Sequence, residues 1–464
     1  MSSLAHCALT APSLTISRHE ETKSSHPAKE GEKVKRRNSR RAWLKGVAAG
    51  LGGLIAAEQK GHAANADYAM ISPKDSIKIT KLEIIPVHSQ RTLFLKMHTD
   101  AGIVGIGEGT VEGRVPTVIA AIKELEKYLI GKDPRQPAFH WQAIYRHTFY
   151  RGGIILTSAL SAVDIAMWDI KGKALGVPVF ELLGGPTRDR IPVYGTARSP
   201  EHAVERIKNE GYRSFKIGPG RPQGRTPRYS ENPGYIQACI DHFRSWREAV
   251  GPNVDLGCEL HGDHQPQTAL QIVKALEQFQ PWFYEEVVQF ENLHAMADIA
   301  RKTSVPIATG ERMVNKWQFR ELLALGAASL LQPDMTHCAG ITEMKAIAAM
   351  AEAYYAAMLP HCKEGIVGAV ASMHVAAAIP NLLSHELPGM FTTDTRVERS
   401  YLGKSYITKP LVLGKDGCIL LADNISGPGL GIELDENLVD NERGVEEWEF
   451  PPIWDAQDGS VLDH

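Results

Sequence analysis

Three glutamates recur at an equal spacing in the middle of the chain. Glu259, Glu285 and Glu311 are separated by 26 residues and then by 26 again, and each stands at the end of an apolar run. No single helix brings residues at this spacing together, whereas a repeating strand-and-helix unit of about this length places them at the same end of neighbouring parallel strands. Converging carboxylates would offer an all-oxygen site to a hard divalent cation.

Further polar residues continue this rhythm on both sides of the glutamates. Lys216 precedes them, and Asp334, His361 and Glu386 follow at steps of 23, 27 and 25 residues. Apolar runs typical of buried strands lead up to these positions, and segments of helical period such as 268–279 and 341–355 lie between them. Strands that alternate with helices and end in polar residues predict a (β/α) barrel of the TIM type, with its active site at the carboxyl ends of the strands.

The region before the barrel has a different pattern. Residues 76–104 alternate apolar and polar side chains, with a turn at Asp100-Ala101-Gly102, and helical patterns follow at 115–129 and 156–175. This order predicts an α+β capping domain. The four glycines Gly102, Gly105, Gly107 and Gly109 lack the G-x-G-x-x-G spacing of a dinucleotide loop. We interpret them as bends in a hairpin.

After Glu386 the chain returns to turn-rich strand patterns, and we expect this tail to fold back onto the capping domain. The predicted organisation is therefore a leader, a capping domain, a barrel and a C-terminal segment, with boundaries at 1–66, 67–190, 191–386 and 387–464.

The first 66 residues form a class of their own. They contain 11 Lys and Arg against 5 Asp and Glu, a net charge of +6. The rest of the chain has 40 basic and 49 acidic residues, a net charge of −9. Ser39-Arg40-Arg41 followed by a weakly apolar run and Ala64-Asn65-Ala66 resembles a twin-arginine export signal, with cleavage after Ala66. We therefore expect a periplasmic mature protein; the alternative is a disordered tail on a cytoplasmic one.

Composition excludes several kinds of partner. An acidic body has too little positive charge to neutralise a nucleic-acid backbone. No apolar stretch reaches the length of about 18 residues that a membrane span needs. The five cysteines beyond the leader have no close paired spacing, which argues against a disulfide framework or a thiolate zinc site. The expected partners are a small-molecule substrate and further copies of the chain in a homo-oligomer.

Together these features resemble the enolase superfamily in its mandelate racemase/muconate lactonizing branch, and within that branch the D-galactonate dehydratase family. The resemblance extends from residue 77 to the end of the chain. The motifs that carry it are Phe149-Tyr150-Arg151-Gly152-Gly153, Met167-Trp168-Asp169-Ile170-Lys171-Gly172-Lys173, Gly310-Glu311-Arg312-Met313, Leu331-Gln332-Pro333-Asp334, Pro360-His361-Cys362 and Pro428-Gly429-Leu430-Gly431.

The resemblance implies a role for each candidate residue. Glu259, Glu285 and Glu311 match the ligands of Mg²⁺ in the family. His361 matches the general base that removes the proton from C2 of a sugar acid, and Asp334 matches the carboxylate that orients this histidine. His261 matches the general acid for the departing C3 hydroxyl, and Glu386 matches the residue that hydrogen-bonds the substrate carboxylate. The implied reaction is that of a Mg²⁺-dependent hydro-lyase, which converts an aldonic acid such as D-galactonate to 2-keto-3-deoxygalactonate and water through an ene-diolate.

The chain departs from the family pattern at three positions. Glu259 replaces the usual Asp, Val287 replaces a proline, and Ser214 replaces the first lysine of the racemases' Lys-x-Lys. Two other classes stay open at this point, a racemase or epimerase of a 2-hydroxy acid and an exported sugar-acid binding protein without turnover. The arginine-containing segment 220–234 is interpreted either as a lid that meets an anion or as a solvated insertion.

Overall fold

The computed structural model describes residues 75–87, 92–147, 149–220, 234–363, 365–387 and 406–444. The leader with its predicted export signal lies outside the described residues, and so does most of the segment interpreted as a lid. Among the helices of the described part, none combines the length and the apolar character needed to cross a bilayer.

The chain begins its described part with a three-stranded antiparallel sheet. Its strands are β1 (Ile79–Val87), β2 (Thr92–Thr99) and β3 (Val104–Glu108), with β2 in the centre. The helices that follow are α1 (Val115–Leu129), α2 (Pro137–His147), α3 (Ile154–Leu175) and the short α4 (Val179–Leu182). The alternating apolar residues of the strands pack against α1 and α3 in a core of their own, so the predicted capping domain is confirmed in its architecture.

Gly102 lies in the turn between β2 and β3, with a φ of 76°, as the interpretation of a bend requires, but Gly105 and Gly107 lie within β3, and for them the interpretation was wrong. A Cβ atom on Gly105 would lie 2.2 Å from the carbonyl oxygen of Ala166, and one on Gly107 would lie 2.0 Å from that of Ala162. Both carbonyls belong to α3. The glycines therefore form a stripe without side chains that lets the strand approach the helix backbone closely.

The second sheet of the described residues contains eight parallel strands. They are β4 (Arg190–Thr196), β5 (Ser214–Ile217), β6 (Asp255–Glu259), β7 (Tyr284–Glu285), β8 (Ile307–Thr309), β9 (Leu330–Leu331), β10 (Ala357–Met358) and β11 (His385–Glu386). Neighbours in sequence pair in order, and β11 pairs with β4. A parallel bridge from Met358 to Leu382 and a hydrogen bond from Glu386 N to Pro360 O, 3.1 Å long, join β10 to the last strand. The predicted (β/α) barrel is therefore confirmed.

Helices follow most of the barrel strands. They are α5 (Pro200–Asn209), α6 (Gly234–Val250), α7 (Pro266–Leu276), α8 (Leu293–Ala300), α9 (Lys316–Leu325), α10 (Gly340–Ala353) and α11 (Ile366–Ala377), with a 3₁₀ turn at Glu277–Phe279. In α7 the residues of one face, Thr268, Ala269, Ile272, Val273 and Leu276, are buried at helical spacing. Such apolar stripes pack the helices against the strands.

The C-terminal segment contacts both the barrel and the capping sheet. Its strand β12 (Cys418–Leu420) pairs antiparallel with β4, and the helices α12 (Leu421–Asn424) and α13 (Glu436–Asn441) follow. Arg443 pairs with Glu83 of β1 at 3.0 Å, and Gly444 N donates to the carbonyl of Pro86 at 3.0 Å. These contacts are the ones expected of a tail that returns to the cap.

Candidate active site

The three evenly spaced glutamates meet at the carboxyl ends of adjacent barrel strands. Glu259 and Glu285 are the last residues of β6 and β7 and face each other in register. Glu311 follows β8 after Gly310, whose φ of 142° requires a glycine. One carboxylate oxygen from each glutamate lies within 4.8 Å of the others. The strand-and-helix period therefore brings these residues together as the sequence predicts.

Lys216 lies among these carboxylates from the end of β5. Its Nζ is 2.7 Å from Glu285 Oε1, 3.0 Å from Glu386 Oε1 and 3.6 Å from Glu259 Oε2. Burial acts to lower the pKa of Lys216, but the three carboxylates outweigh it and raise this pKa well above the ordinary value. The lysine is thus a fixed positive charge at the base of an acidic site.

Glu285 is fully buried, and both of its oxygens are engaged. Oε1 accepts from Lys216, and Oε2 accepts from the amide of Gln332 at 2.6 Å. Burial raises the pKa of Glu285 well above its ordinary value, Lys216 opposes this, and the charges of Glu259 and Glu386 add to the rise. Gln332 stands two residues before Asp334 at the end of the same strand, and the sequence alone did not predict its contact with Glu285.

His361 and Asp334 form a buried pair after β10 and β9. His361 Nδ1 lies 2.8 Å from Asp334 Oδ2, and Asp334 Oδ1 accepts from both the backbone and the hydroxyl of Thr336. Burial acts to raise the pKa of Asp334, but His337, His361 and these hydrogen bonds hold it below its ordinary value. Because an ionised carboxylate only accepts, Nδ1 carries a hydrogen, and in the neutral ring the lone pair is therefore on Nε2.

The other ring nitrogen of His361, Nε2, faces the glutamates. Nε2 is 3.4 Å from Glu311 Oε2 and 3.8 Å from Glu386 Oε2. Glu386 is held by Lys216 through one oxygen and by the backbone N–H of Cys362 through the other, at 3.2 Å. The end of β11 therefore closes the ring of polar residues beside His361.

His261 reaches the site through a left-handed turn. His261 lies two residues after Glu259, and in an extended strand both would share one face, but β6 ends at Glu259 and His261 has a φ of 58°. The turn is fixed by a hydrogen bond from Gly262 N to Glu286 O at 2.7 Å. It places a ring nitrogen of His261 within 4.8 Å of carboxylate oxygens of Glu286 and Glu311. The predicted residue is in the site, for a different geometric reason.

Glu286 and Arg312 form an ion pair that sequence reasoning missed. Arg312 Nε donates to Glu286 Oε1 at 2.9 Å, and Glu286 is only 1% exposed, with a φ of 44°. Burial raises the pKa of Glu286 to about 8, the charge of Glu311 adds to the rise, and Arg312 opposes it. The sequence does give one signal for this pair, because Glu286 directly follows Glu285 and Arg312 directly follows Glu311, each a glutamate at the end of a strand.

The residues present fit a divalent cation of the Mg²⁺ type. Glu259, Glu285 and Glu311 offer oxygen atoms only, which is the donor set that this hard ion prefers. Burial acts to raise the pKa of Glu311, but His361, Lys216 and His261 hold it at about 2, so this carboxylate is ionised at neutral pH. Glu259 reaches the shared position despite the extra methylene that distinguishes it from Asp.

Two family models match the chain. The family described as "Mandelate racemase / muconate lactonizing enzyme, N-terminal domain" matches residues 67–184, and the family described as "Enolase C-terminal domain-like" matches residues 199–438. Among curated proteins, the D-galactonate dehydratase of Pectobacterium atrosepticum is 37% identical over 397 residues, and that of Variovorax paradoxus is 38% identical over 397 residues. Each match covers 83% of this chain and 100% of the relative.

Solved structures show the same similarity. An enolase from Agrobacterium radiobacter bound to Na and L-malate has a TM-score of 0.75 and 28% identity, covering 83% of this chain and 99% of that one. A member of the enolase superfamily from Salmonella Typhimurium has a TM-score of 0.71 and 30% identity, covering 79% of this chain and 98% of that one. The protein is therefore an enzyme of the enolase superfamily and belongs to its mandelate racemase/muconate lactonizing branch.

Proposed function

We propose that the enzyme is a Mg²⁺-dependent dehydratase of an aldonic acid, and that its substrate is D-galactonate. The proposal is supported by the curated relatives, which carry that name at 37% and 38% identity. The observation that carries it is the position of Glu311, which has His361 at 3.4 Å and a nitrogen of His261 within 4.8 Å. Dehydration needs both a general base and a general acid beside the substrate, whose carboxylate is bound at this site.

The metal has a defined task in this proposal. Glu259, Glu285 and Glu311 would hold it, and when bound it supplies positive charge that offsets the second negative charge developing on the substrate carboxylate. Lys216 and Glu386 stand at the same end of the barrel. Lys216 balances part of the acidic charge of the ligands, and Glu386, which accepts from Lys216 and from the backbone N–H of Cys362, would hydrogen-bond the substrate carboxylate through a proton shared between the two carboxyl groups.

His361 is the base for the first proton transfer. Its Nδ1–H bond to Asp334 fixes the tautomer with the lone pair on Nε2, and that nitrogen takes the proton from C2. The electrons of the broken C–H bond move into the carboxylate and give the ene-diolate. The Asp334 carboxylate stabilises the imidazolium that results.

His261 is the acid for the second transfer. It donates a proton to the C3 hydroxyl, the C3–O bond breaks, and water leaves as the electrons of the ene-diolate form the C2–C3 double bond. The resulting enol takes up a proton at C3 and becomes the 2-keto-3-deoxy acid. Histidine suits both transfers because its unperturbed pKa lies close to neutral pH.

The test is a screen of the purified protein with Mg²⁺ against D-galactonate, D-gluconate, D-mannonate and other sugar acids, read by formation of a 2-keto acid. We expect turnover of D-galactonate that disappears with EDTA and returns with added Mg²⁺. Formation of a C2 epimer without keto acid would replace the proposal by the racemase alternative. A rise in melting temperature with a sugar acid, but neither product nor C2 exchange, would replace it by a binding protein.

A further inference from the structure

We propose that the site contains a second divalent-cation position, formed by His261, Glu286 and Glu311, that selects a transition metal of the Zn²⁺ type. It shares Glu311 with the oxygen-only position of Glu259 and Glu285. The proposal goes beyond the proposed dehydration, which does not require the second position.

The geometry of the three side chains carries this inference. A ring nitrogen of His261 and one oxygen each of Glu286 and Glu311 lie within 4.8 Å of one another. These separations need to shorten by at most about 1 to 2 Å to reach the about 3 to 4 Å between ligand atoms that a shared ion at about 2.1 Å imposes. The left-handed turns at His261 and Glu286 hold the two residues face to face at the ends of β6 and β7.

An unpartnered oxygen points to a ligand independently of that cluster. Arg312 donates to Glu286 Oε1, while Glu286 Oε2 is buried and makes no hydrogen bond within the described part of the chain. A buried carboxylate oxygen without a partner costs about 1–3 kcal/mol, so native structures seldom leave one. A cation bound at Oε2 would satisfy this atom while Arg312 keeps the other.

The donor set differs from that of the first position. Imidazole with two carboxylates is a set that zinc enzymes use, whereas Mg²⁺ prefers oxygen alone and gives up its waters reluctantly. The two positions therefore differ in the metal that they favour, and Glu311 would bridge them.

The local charge tolerates a second cation. Glu259, Glu285, Glu286, Glu311 and Glu386 converge here, and the permanent cations in the described ion pairs with them are Lys216 and Arg312. Five carboxyl groups thus face two permanent cations, and this excess of acidic groups favours the binding of dications.

Occupation of the second position would stop the acid step. The nitrogen of His261 that binds the cation cannot carry the proton destined for the C3 hydroxyl. We therefore expect Zn²⁺ to inhibit the enzyme while Mg²⁺ remains bound at the first position.

The test is calorimetric titration of the protein with ZnCl₂ in saturating Mg²⁺. We expect one zinc equivalent for the unmodified chain, and loss of that equivalent or at least a tenfold weaker affinity in both Glu286→Gln and His261→Asn. The matched control is His361→Asn, which removes the other imidazole beside Glu311 and should titrate like the unmodified chain. Circular dichroism establishes that each variant is folded.

The spectrum of bound Co²⁺ gives a second reading. Visible d–d bands should form in the unmodified chain with Mg²⁺ present and be lost in His261→Asn. The proposal is overturned if zinc fails to bind in saturating Mg²⁺, or if Glu286→Gln and His261→Asn both bind it as the unmodified chain does. Either result leaves dehydration with Mg²⁺ alone intact, so failure of this inference is separable from failure of the proposed function.

Discussion

His361 and His261 approach Glu311 from different elements and are held in different ways. His361 is fixed by a hydrogen bond to Asp334, whereas His261 is fixed by the backbone turn that Gly262 and Glu286 close. His361→Asn and His261→Asn should each lower formation of keto acid by at least about 10² to 10⁴-fold, the usual contribution of a positioned acid or base. Only His361→Asn should also stop exchange of the C2 proton with D₂O, measured by NMR.

The control for this prediction is the rate of deuterium exchange at C2, compared between the two variants. Because His261 acts after the C2 proton has left, His261→Asn keeps the base and should still exchange deuterium into the substrate. If His261→Asn lost exchange as completely as His361→Asn, the division between a base and an acid would be wrong. Normal turnover by His361→Asn would remove His361 from the reaction altogether.

For single residues, the sequence predicts which side chains reach the site better than it predicts which atoms those side chains contact. Glu259, Glu285 and Glu311 could be placed together because each ends a strand, and strand ends in a barrel share one rim. Gln332 and the Glu286–Arg312 pair could not be assigned, because their roles depend on which atoms face each other across strands. A left-handed φ at a non-glycine residue such as His261 is likewise set by the surrounding structure.

Among the elements, the contact of β3 with α3 depends on residues without side chains. Gly107→Ala should destabilise the protein by about 1–3 kcal/mol, since the new methyl group would lie 2.0 Å from the backbone oxygen of Ala162. Urea unfolding measures the change. The matched control is Gly218→Ala, where nothing lies within 4 Å of the added Cβ, and its midpoint should stay close to that of the parent. Equal midpoints for both variants would contradict the close packing of strand and helix.

The elements also show where the sequence pattern is and is not sufficient. The helical period predicts α1 with the observed bounds, Val115–Leu129, because its buried face recurs at helical spacing. The apolar run 329–333 predicts a longer strand than β9, which pairs only over Leu330–Leu331. A strand ends where its neighbours stop offering backbone partners, and this depends on the register of the whole barrel rather than on local composition.

For the whole molecule, Asp169 of α3 connects the cap to the C-terminal segment. Its buried carboxylate accepts from Ile106 N and Lys173 Nζ through one oxygen and from Leu430 N through the other, at 2.8 to 2.9 Å. Asp169→Ala should cost about 3–5 kcal/mol of unfolding free energy, because it removes the carboxylate that lies 2.8 Å from the buried Lys173 ammonium and accepts from two backbone N–H groups. The control is Asp298→Ala, which breaks an exposed pair with Arg301 and should cost less than about 1 kcal/mol. Comparable losses in denaturant unfolding would show that Asp169 is not a structural connection.

His374 links three parts of the molecule and should make its stability depend on pH. Nδ1 accepts from Phe180 N and Nε2 donates to Leu430 O, both at 3.1 Å, so the neutral ring is fully bonded. Burial lowers the pKa of His374 from 6.5 to about 4, so between these values the unfolded chain binds more protons than the folded one. Acidification from pH 7 to pH 4 should therefore remove on the order of 3 kcal/mol of unfolding free energy through this group, and little more below pH 4.

Unfolding free energies measured across this range should show a smaller pH dependence in His374→Gln and an unchanged one in His294→Gln, an exposed control. The same pH dependence in all three proteins would remove His374 as the source.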